Sequence, residues 1–236
     1  MVISRGASEI YGHCYPSRRA YRASVARLKE RGLVTHSQTD GSLPPIRLTD
    51  EGEALLPVYC NPESHWSKRW NKWWYVLMFD VPEAERKYRD TLRSFLKKNR
   101  FGCLQKSVWV TPRDARADYD DLDRAASIDS VAFLFEARTV LGHGNQSVVR
   151  EAWNFNKIDR IHELYIQYAL ENLALLGRTG APEHELMQFL RMDNQAYAQA
   201  MSLDPLLPNE LLPRNYQGKR VADLHRKLIQ SVFKCL

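Results

Sequence analysis

Seven cations and two carboxylates occupy the first 34 residues: Arg5, Arg18, Arg19, Arg22, Arg27, Lys29 and Arg31 against Glu9 and Glu30. The whole chain carries 34 Lys+Arg and 28 Asp+Glu, a net +6, so this short stretch holds most of the excess. Positive charge attracts polyanions when it is clustered, because neighbouring cations sum their fields and release counterions together. Arg18 and Arg22 fall one helical turn apart, with Arg19 beside them. Guanidinium groups on the N-terminal half of a helix can enter the DNA major groove and bond guanine edges through two parallel N–H donors. Arg27 and Lys29 lie further along the same helix, where contact with phosphate or solvent is expected. Ser17, a candidate N-cap, opens the helix. Ser17, Arg18, Arg19, Arg22, Arg27 and Lys29 are therefore the expected DNA-binding set.

Asp80 is the second residue with chemical potential. It ends the apolar run Trp73–Phe79. A metal role for it is only what a resemblance given below implies, in which two such residues from a dimer bind a divalent metal that could activate water. The structural reading is that Asp80 caps the helix after Pro82. Other chemistries find no pattern. The seven histidines are scattered, each expected in a loop or at the surface. Cys14, Cys60, Cys103 and Cys235 have no zinc spacing and are expected to be small buried hydrophobes. No phosphate loop or Ser/His/Asp spacing occurs, and no cofactor is expected. Trp66, Trp70, Trp73 and Trp74, interleaved with Lys68, Arg69 and Lys72, could stack on nucleic acid, but the plainer expectation is that they pin a linker to its neighbour.

The elements that must position these residues follow from periodicity. Tyr21, Val25 and Leu28 recur at helical spacing between Ser17 and Gly32, and Gly32 suits the position after a helix end. Short strands are expected at Leu33–Thr35 and Ile46–Leu48, then a short helix from Thr49 to Leu56. Helix, strand, strand, helix is the back half of a winged helix. A dense strand at Trp73–Phe79 follows. Residues 84–99 form a helix with Tyr88, Leu92, Phe95 and Leu96 inward, ended by Gly102. A strand region at Cys103–Val110, kinked into two, a helix at 117–126 and a strand at Val131–Phe135 complete a ferredoxin-like unit. From 145 on the chain reads helical: about Ser147–Leu176 with a break near Asn154–Asn156, then about Pro182–Met201 and about Arg220–Phe233. Three prolines between Asp204 and Pro213 forbid a regular helix there, and the interleaved leucines predict an ordered, packed segment. The hydrophobic fraction of 44% with six Trp supports real cores, and no run approaches the length of a membrane span. The expectation is a reduced, cytoplasmic protein of α+β class. It has an N-terminal winged helix-turn-helix over 1–60, a linker over 61–72, a central ferredoxin-like domain over 73–142 and an all-helical C-terminal domain over 143–236. The sixteen residues before Ser17 are few for the two helices that precede a recognition helix, so an abbreviated head is expected.

Three blocks carry a resemblance. The first is Val25–Val34 with Arg47-Leu48-Thr49-Asp50-Glu51-Gly52. The second is Phe79-Asp80-Val81-Pro82-Glu83, Arg86, Arg89, Leu92, Phe101-Gly102 and Ser107–Pro112. The third is Asp204–Pro213 followed by Gly218 and Ala222-Asp223-Leu224. In these the chain resembles the PaaX family of bacterial transcriptional repressors, with Tyr216-Gln217-Gly218 where that family usually has Trp-Pro-Gly. The resemblance implies a protein that is not an enzyme and binds a double-stranded operator; a homodimer is expected because a single head covers only a short half-site and paired heads read palindromes. It also implies release by an acyl-CoA effector such as phenylacetyl-CoA, within phenylacetate catabolism. Arg86, Arg89, Arg138 and Arg150 are candidates, by type, for its phosphates. The middle region with Asp80, Gln105, Ser107 and Val108 is also similar to the ferredoxin-fold nucleases of CRISPR adaptation, which implies metal-dependent cleavage as the alternative.

Overall fold

The computed structural model describes residues 18–36, 46–56, 60–126, 131–139, 144–176 and 182–235. The chain divides into two compact units. One holds Met1–Cys60, Tyr165–Ala198 and Arg220–Leu236; the other holds Asn61–Leu164 and Gln199–Lys219.

In the first unit, helix α1 (Arg18–Glu30) leads into β1 (Val34–His36), β2 (Ile46–Leu48) and the short α2 (Asp50–Ala54). β1 and β2 pair antiparallel with Val34 opposite Leu48. Gly32, at φ +70, closes α1: its N–H bonds the Lys29 carbonyl and the Leu33 N–H reaches back to Leu28. That pair of bonds satisfies the last carbonyls of the helix and needs a left-handed residue at its centre. Thr49 caps α2 by accepting the Gly52 N–H at 3.0 Å, and donates its own hydroxyl to the Gly32 carbonyl. A Cβ on Gly52 would lie 2.0 Å from the Leu33 carbonyl oxygen, so only glycine lets α2 approach β1 this closely. The residues before Arg18 and between 37 and 45 lie outside the described residues. The observed part of the head is therefore the helix, strand, strand, helix order that the periodicity predicts.

The second unit begins with α3 (Glu63–Trp66) and is built on β3 (Trp74–Phe79), β4 (Gly102–Gln105), β5 (Val108–Thr111) and β6 (Ala132–Ala137). Their order in the sheet is β4-β5-β3-β6, antiparallel throughout. With α4 (Arg86–Lys98) between β3 and β4 and α5 (Arg116–Ala126) between β5 and β6, this is the ferredoxin-like βαββαβ arrangement. The expected kink in the second strand is the Lys106-Ser107 turn, beside a register shift between Cys103 and Gln105. Alternation along β3 sends Tyr75, Leu77 and Phe79 to one face, where Leu92, Leu96, Trp109 and Leu122 join them. The other face packs Val110 against Trp70, Trp74, Trp153, Leu207 and Leu211. The indole of Trp70 lies 5.2 Å from that of Trp74 and donates to the Trp73 carbonyl. The tryptophan-rich stretch is thus packed down, as the plainer reading expects.

Helix α6 (Asn145–Ala152) breaks at Trp153-Asn154 before α7 (Phe155–Leu176); α8 (Glu183–Ser202) and α9 (Gly218–Cys235) follow. Between α8 and α9, Asp204, Pro205, Leu206, Leu207 and Leu211 are all buried. The proline-rich segment is packed, as the interleaved leucines predict.

Four expectations are corrected. Gly102 does not end α4. Arg100 takes the left-handed position at φ 62, with Phe101 N–H returning to the Leu96 carbonyl. A non-glycine residue there costs roughly 1 kcal/mol. The cost is offset because the Arg100 guanidinium donates to the carbonyls of Met201 and Asp204. Gly102 instead starts β4, where a Cβ would stand 2.6 Å from the Ala152 methyl and 2.7 Å from the Trp153 ring. Asp80 caps no helix: neither the 3-10 turn Glu83–Glu85 nor α4 receives a side-chain cap bond. Cys60 and Cys235 are exposed rather than buried. His162 is fully buried and His225 nearly so, because each faces a buried carboxylate far away in sequence.

Candidate nucleic-acid interface

Helix α1 buries Val25 and half-buries Leu28, the stripe predicted from spacing. Arg22, Arg27 and Lys29 are exposed. The Arg27 guanidinium donates to Ser24 Oγ at 3.1 Å, which steadies it without neutralising it. Among the described residues no ion pair ties Arg22, Arg27 or Lys29 to a carboxylate. Three cations on one short helix with an open face can reach phosphate or base edges. The backbone of Arg18 and Arg19 is helical, while their side chains and all of Ser17 lie outside the described residues.

Asp80 is exposed at the end of β3, and its N–H bonds the Val131 carbonyl. Among the described residues no group of three His, Cys, Asp or Glu side chains is placed to hold a metal. The four arginines considered for an effector have different surroundings. Arg86 is largely exposed, 3.8 Å from Asp90. Arg138 lies 3.9 Å over the Trp73 ring in a cation–π contact. Arg150 donates to Ser147 Oγ. Arg89 is half-buried on α4.

Two buried polar clusters were missed from sequence. In the first unit, Asp193, fully buried, accepts from the Tyr165 hydroxyl at 2.9 Å and meets His225 Nδ1 at 2.8 Å. The His225 ring stacks on Tyr197 at 3.9 Å. Burial, then the Asp193 charge, holds the Tyr165 hydroxyl far above its ordinary range, so it remains a donor. In the second unit, Asp204 is fully buried. It accepts from the Leu206 N–H at 2.8 Å and from the Tyr216 hydroxyl at 2.6 Å. His162 Nε2 lies 3.3 Å from the same carboxylate, out of line for a hydrogen bond. Burial pushes the carboxyl of Asp159 upward, opposed by His162. Apart from the local Asp204–Leu206 bond, these clusters join residues 12 to 60 positions apart, and no local spacing announces them. The Asp193 and Asp204 carboxylates are satisfied by protein donors, whereas both ring nitrogens of the buried His162 lack a hydrogen-bond partner.

Comparison with known proteins decides the family. Residues 67–149 match the model described as the PaaX protein central Cas2-like domain, and residues 153–235 match the PaaX-like protein C-terminal domain. The chain belongs to the PaaX family. It is 25% identical over 226 residues to the transcriptional repressor PaaX of Escherichia coli (strain K12), covering 91% of this chain and 69% of that protein. An uncharacterized protein from Mycobacterium tuberculosis shares the fold with a TM-score of 0.52 at 18% identity, over 99% of this chain and 89% of that one. The PaaX matches cover the ferredoxin-like sheet and the helices after it, and they include the Asp204–Pro213 segment and Gly218. The buried Asp204 cluster is thus built from the block that carries the PaaX resemblance. A Cβ on Gly218 would lie 2.1 Å from the Tyr216 hydroxyl oxygen and 2.9 Å from Asp204 Oδ2. PaaX is a family of repressors rather than of enzymes.

Proposed function

We propose that this protein is a DNA-binding transcriptional repressor whose head reads an operator through α1. The observation that carries the reading is the open basic face of α1, with Arg22, Arg27 and Lys29 exposed and without carboxylate partners among the described residues. Membership of the PaaX family and the likeness to the E. coli repressor support it. Arg18, Arg19 and Arg22 take the base-reading role, Arg27 and Lys29 bond phosphate, and Ser17 caps the helix. The head is a winged helix-turn-helix, and the protein works in the cytoplasm. None of its described helices is long and apolar enough to cross a membrane.

The protein acts as a homodimer, because paired heads read a palindrome. The apolar end of the sheet supports this. Phe133, 62% exposed, and Phe135 lie on edge strand β6, their rings 6.1 Å apart, with the exposed Met78 opposite Phe133 on β3. An edge strand with exposed aromatics invites pairing with a second copy. An acyl-CoA effector, such as phenylacetyl-CoA, binds one arrangement of the dimer better and releases the operator by linkage. Nuclease action through Asp80 is not favoured, since both family matches are to PaaX domains and the similar E. coli protein is a transcriptional repressor.

Binding to the DNA upstream of the protein's own gene, measured by gel shift, tests the reading. Arg18→Ala and Arg22→Ala should each weaken binding by about 1–3 kcal/mol. Unchanged affinity in both variants rejects the assignment.

A further inference from the structure

We propose that the outward face of α4 in the ferredoxin-like unit is a second, sequence-blind contact for the duplex DNA backbone. The proposal rests on the DNA-binding reading above and adds to it a surface outside the head. Helix α4 carries six cations, Arg86, Lys87, Arg89, Arg93, Lys97 and Lys98, against the single carboxylate Asp90. Leu92 and Leu96 are fully buried on its inner side. Helical spacing therefore places two adjacent rows outward. One row is Arg86, Asp90, Arg93 and Lys97; the other is Lys87, Thr91, Ser94 and Lys98. An open groove of about 600 Å³ runs along the first half of the helix, lined by Arg86, Lys87, Asp90, Thr91 and Ser94. The Arg93 guanidinium donates to the Lys106 carbonyl at 3.2–3.3 Å, which fixes the exposed Lys106 at the β4–β5 turn beside the same face.

Helix stability does not account for this pattern. Lys97 and Lys98 in the last turn suit the helix dipole, but Arg86 and Lys87 stand in the first turn, where the dipole opposes cations. No acidic residue offsets them in that turn, and Asp90 reaches Arg86 and Arg93 only at 3.8 Å each. The charge is also local: α5, the other helix of the unit's βαββαβ frame, carries Asp118, Asp120, Asp121 and Asp123 against Arg116 and Arg124. The length and openness of the face select the partner. Thirteen residues rise roughly 18 Å at about 1.5 Å each, over which one strand of a duplex presents about five phosphates. A small ligand buries most of its own surface in its site, which an open groove along one helix does not provide. A phosphate backbone needs only cations and hydroxyls along a line.

The test uses the full chain and a 40-base-pair duplex of mixed sequence, with affinity read by fluorescence anisotropy from low to moderate salt. Three variants are compared with wild type: Lys87→Gln/Lys97→Gln/Lys98→Gln, Arg22→Ala, and the two combined. Neutralising three phosphate contacts should lower the log–log salt slope by roughly 2.7, so that the loss of affinity between 50 and 200 mM salt shrinks about 40-fold. The glutamine variant should stay folded, with a melting temperature lowered only slightly by the lost dipole contribution of Lys97 and Lys98, since all three lysines are exposed. An unchanged slope in the glutamine variant overturns the proposal, whatever Arg22→Ala does. A reduced slope together with an unaffected Arg22→Ala variant upholds the α4 contact and removes the role given to α1. A wild-type chain that binds no duplex overturns both. Glutamine substitution that spares the slope but abolishes acyl-CoA binding assigns the face to a small ligand, and so also overturns it.

Discussion

Tyr216→Phe removes one oxygen atom and should cost the protein a measurable part of its stability. The hydroxyl donates to Asp204 Oδ2 at 2.6 Å, within the range of charge-assisted O–H···O⁻ bonds. Asp204 is fully buried, and its other oxygen is already engaged by the Leu206 N–H. Without the hydroxyl, Oδ2 is left beside His162 Nε2, 3.3 Å away and misaligned. Phenylalanine keeps the ring, so the edge contacts with Trp66 at 5.9 Å and His162 at 5.8 Å survive, and the change isolates the hydrogen bond. A bond to a charged group contributes about 1.5–3 kcal/mol, and a buried partner left unsatisfied lies toward the upper end. An expected loss of about 2 kcal/mol corresponds to roughly 4–8 °C in melting temperature for a chain of this size. Thermal and urea unfolding followed by circular dichroism would measure it. Asp204→Asn and the double variant complete a cycle whose coupling should exceed about 1 kcal/mol. A Tyr216→Phe protein that melts within a degree of wild type, or a strictly additive cycle, would refute the idea that Asp204 depends on Tyr216.

Two further outcomes follow from particular side chains. Phe133→Glu with Phe135→Glu places charges on the exposed end of the sheet without touching either core; light scattering should then report a monomer where wild type is a dimer, and equal masses would sink the proposed interface. Burial holds the Asp159 carboxyl above its ordinary range, so the folded chain keeps that proton to higher pH than the unfolded chain. The resulting stability is fully present below the unfolded value near 3.9 and is lost as pH rises through the raised folded value. Asp159→Asn should therefore melt higher than wild type at pH 7.5 and lose that advantage toward pH 4; a variant that is equally destabilised at both pH values contradicts this account.

Local patterns carried much of the architecture. Apolar residues at helical spacing located α1 and α4, and dense β-forming runs located β3 and β6, because each element must bury one face or both. Gly32 marked the end of α1, since a left-handed position favours glycine wherever it occurs. Three prolines marked the break after Asp204. The arginine cluster was legible because composition alone reveals where charge accumulates. Charge on α4 was legible too, and the helical spacing that turns Leu92 and Leu96 inward already set which of its residues face outward.

Other features were decided only in three dimensions. The sequence cannot announce that Arg100, rather than Gly102, turns the chain after α4, because the compensation comes from carbonyls at 201 and 204. The same holds for His162 with Asp204 and for His225 with Asp193, where a histidine is taken inside by a carboxylate dozens of residues away. Pairing order in the sheet, and the exposure of Phe133 and Phe135 at its edge, likewise arise from which strands meet. Short-range spacing fixes what an element buries; only tertiary contact fixes what a buried polar group finds there.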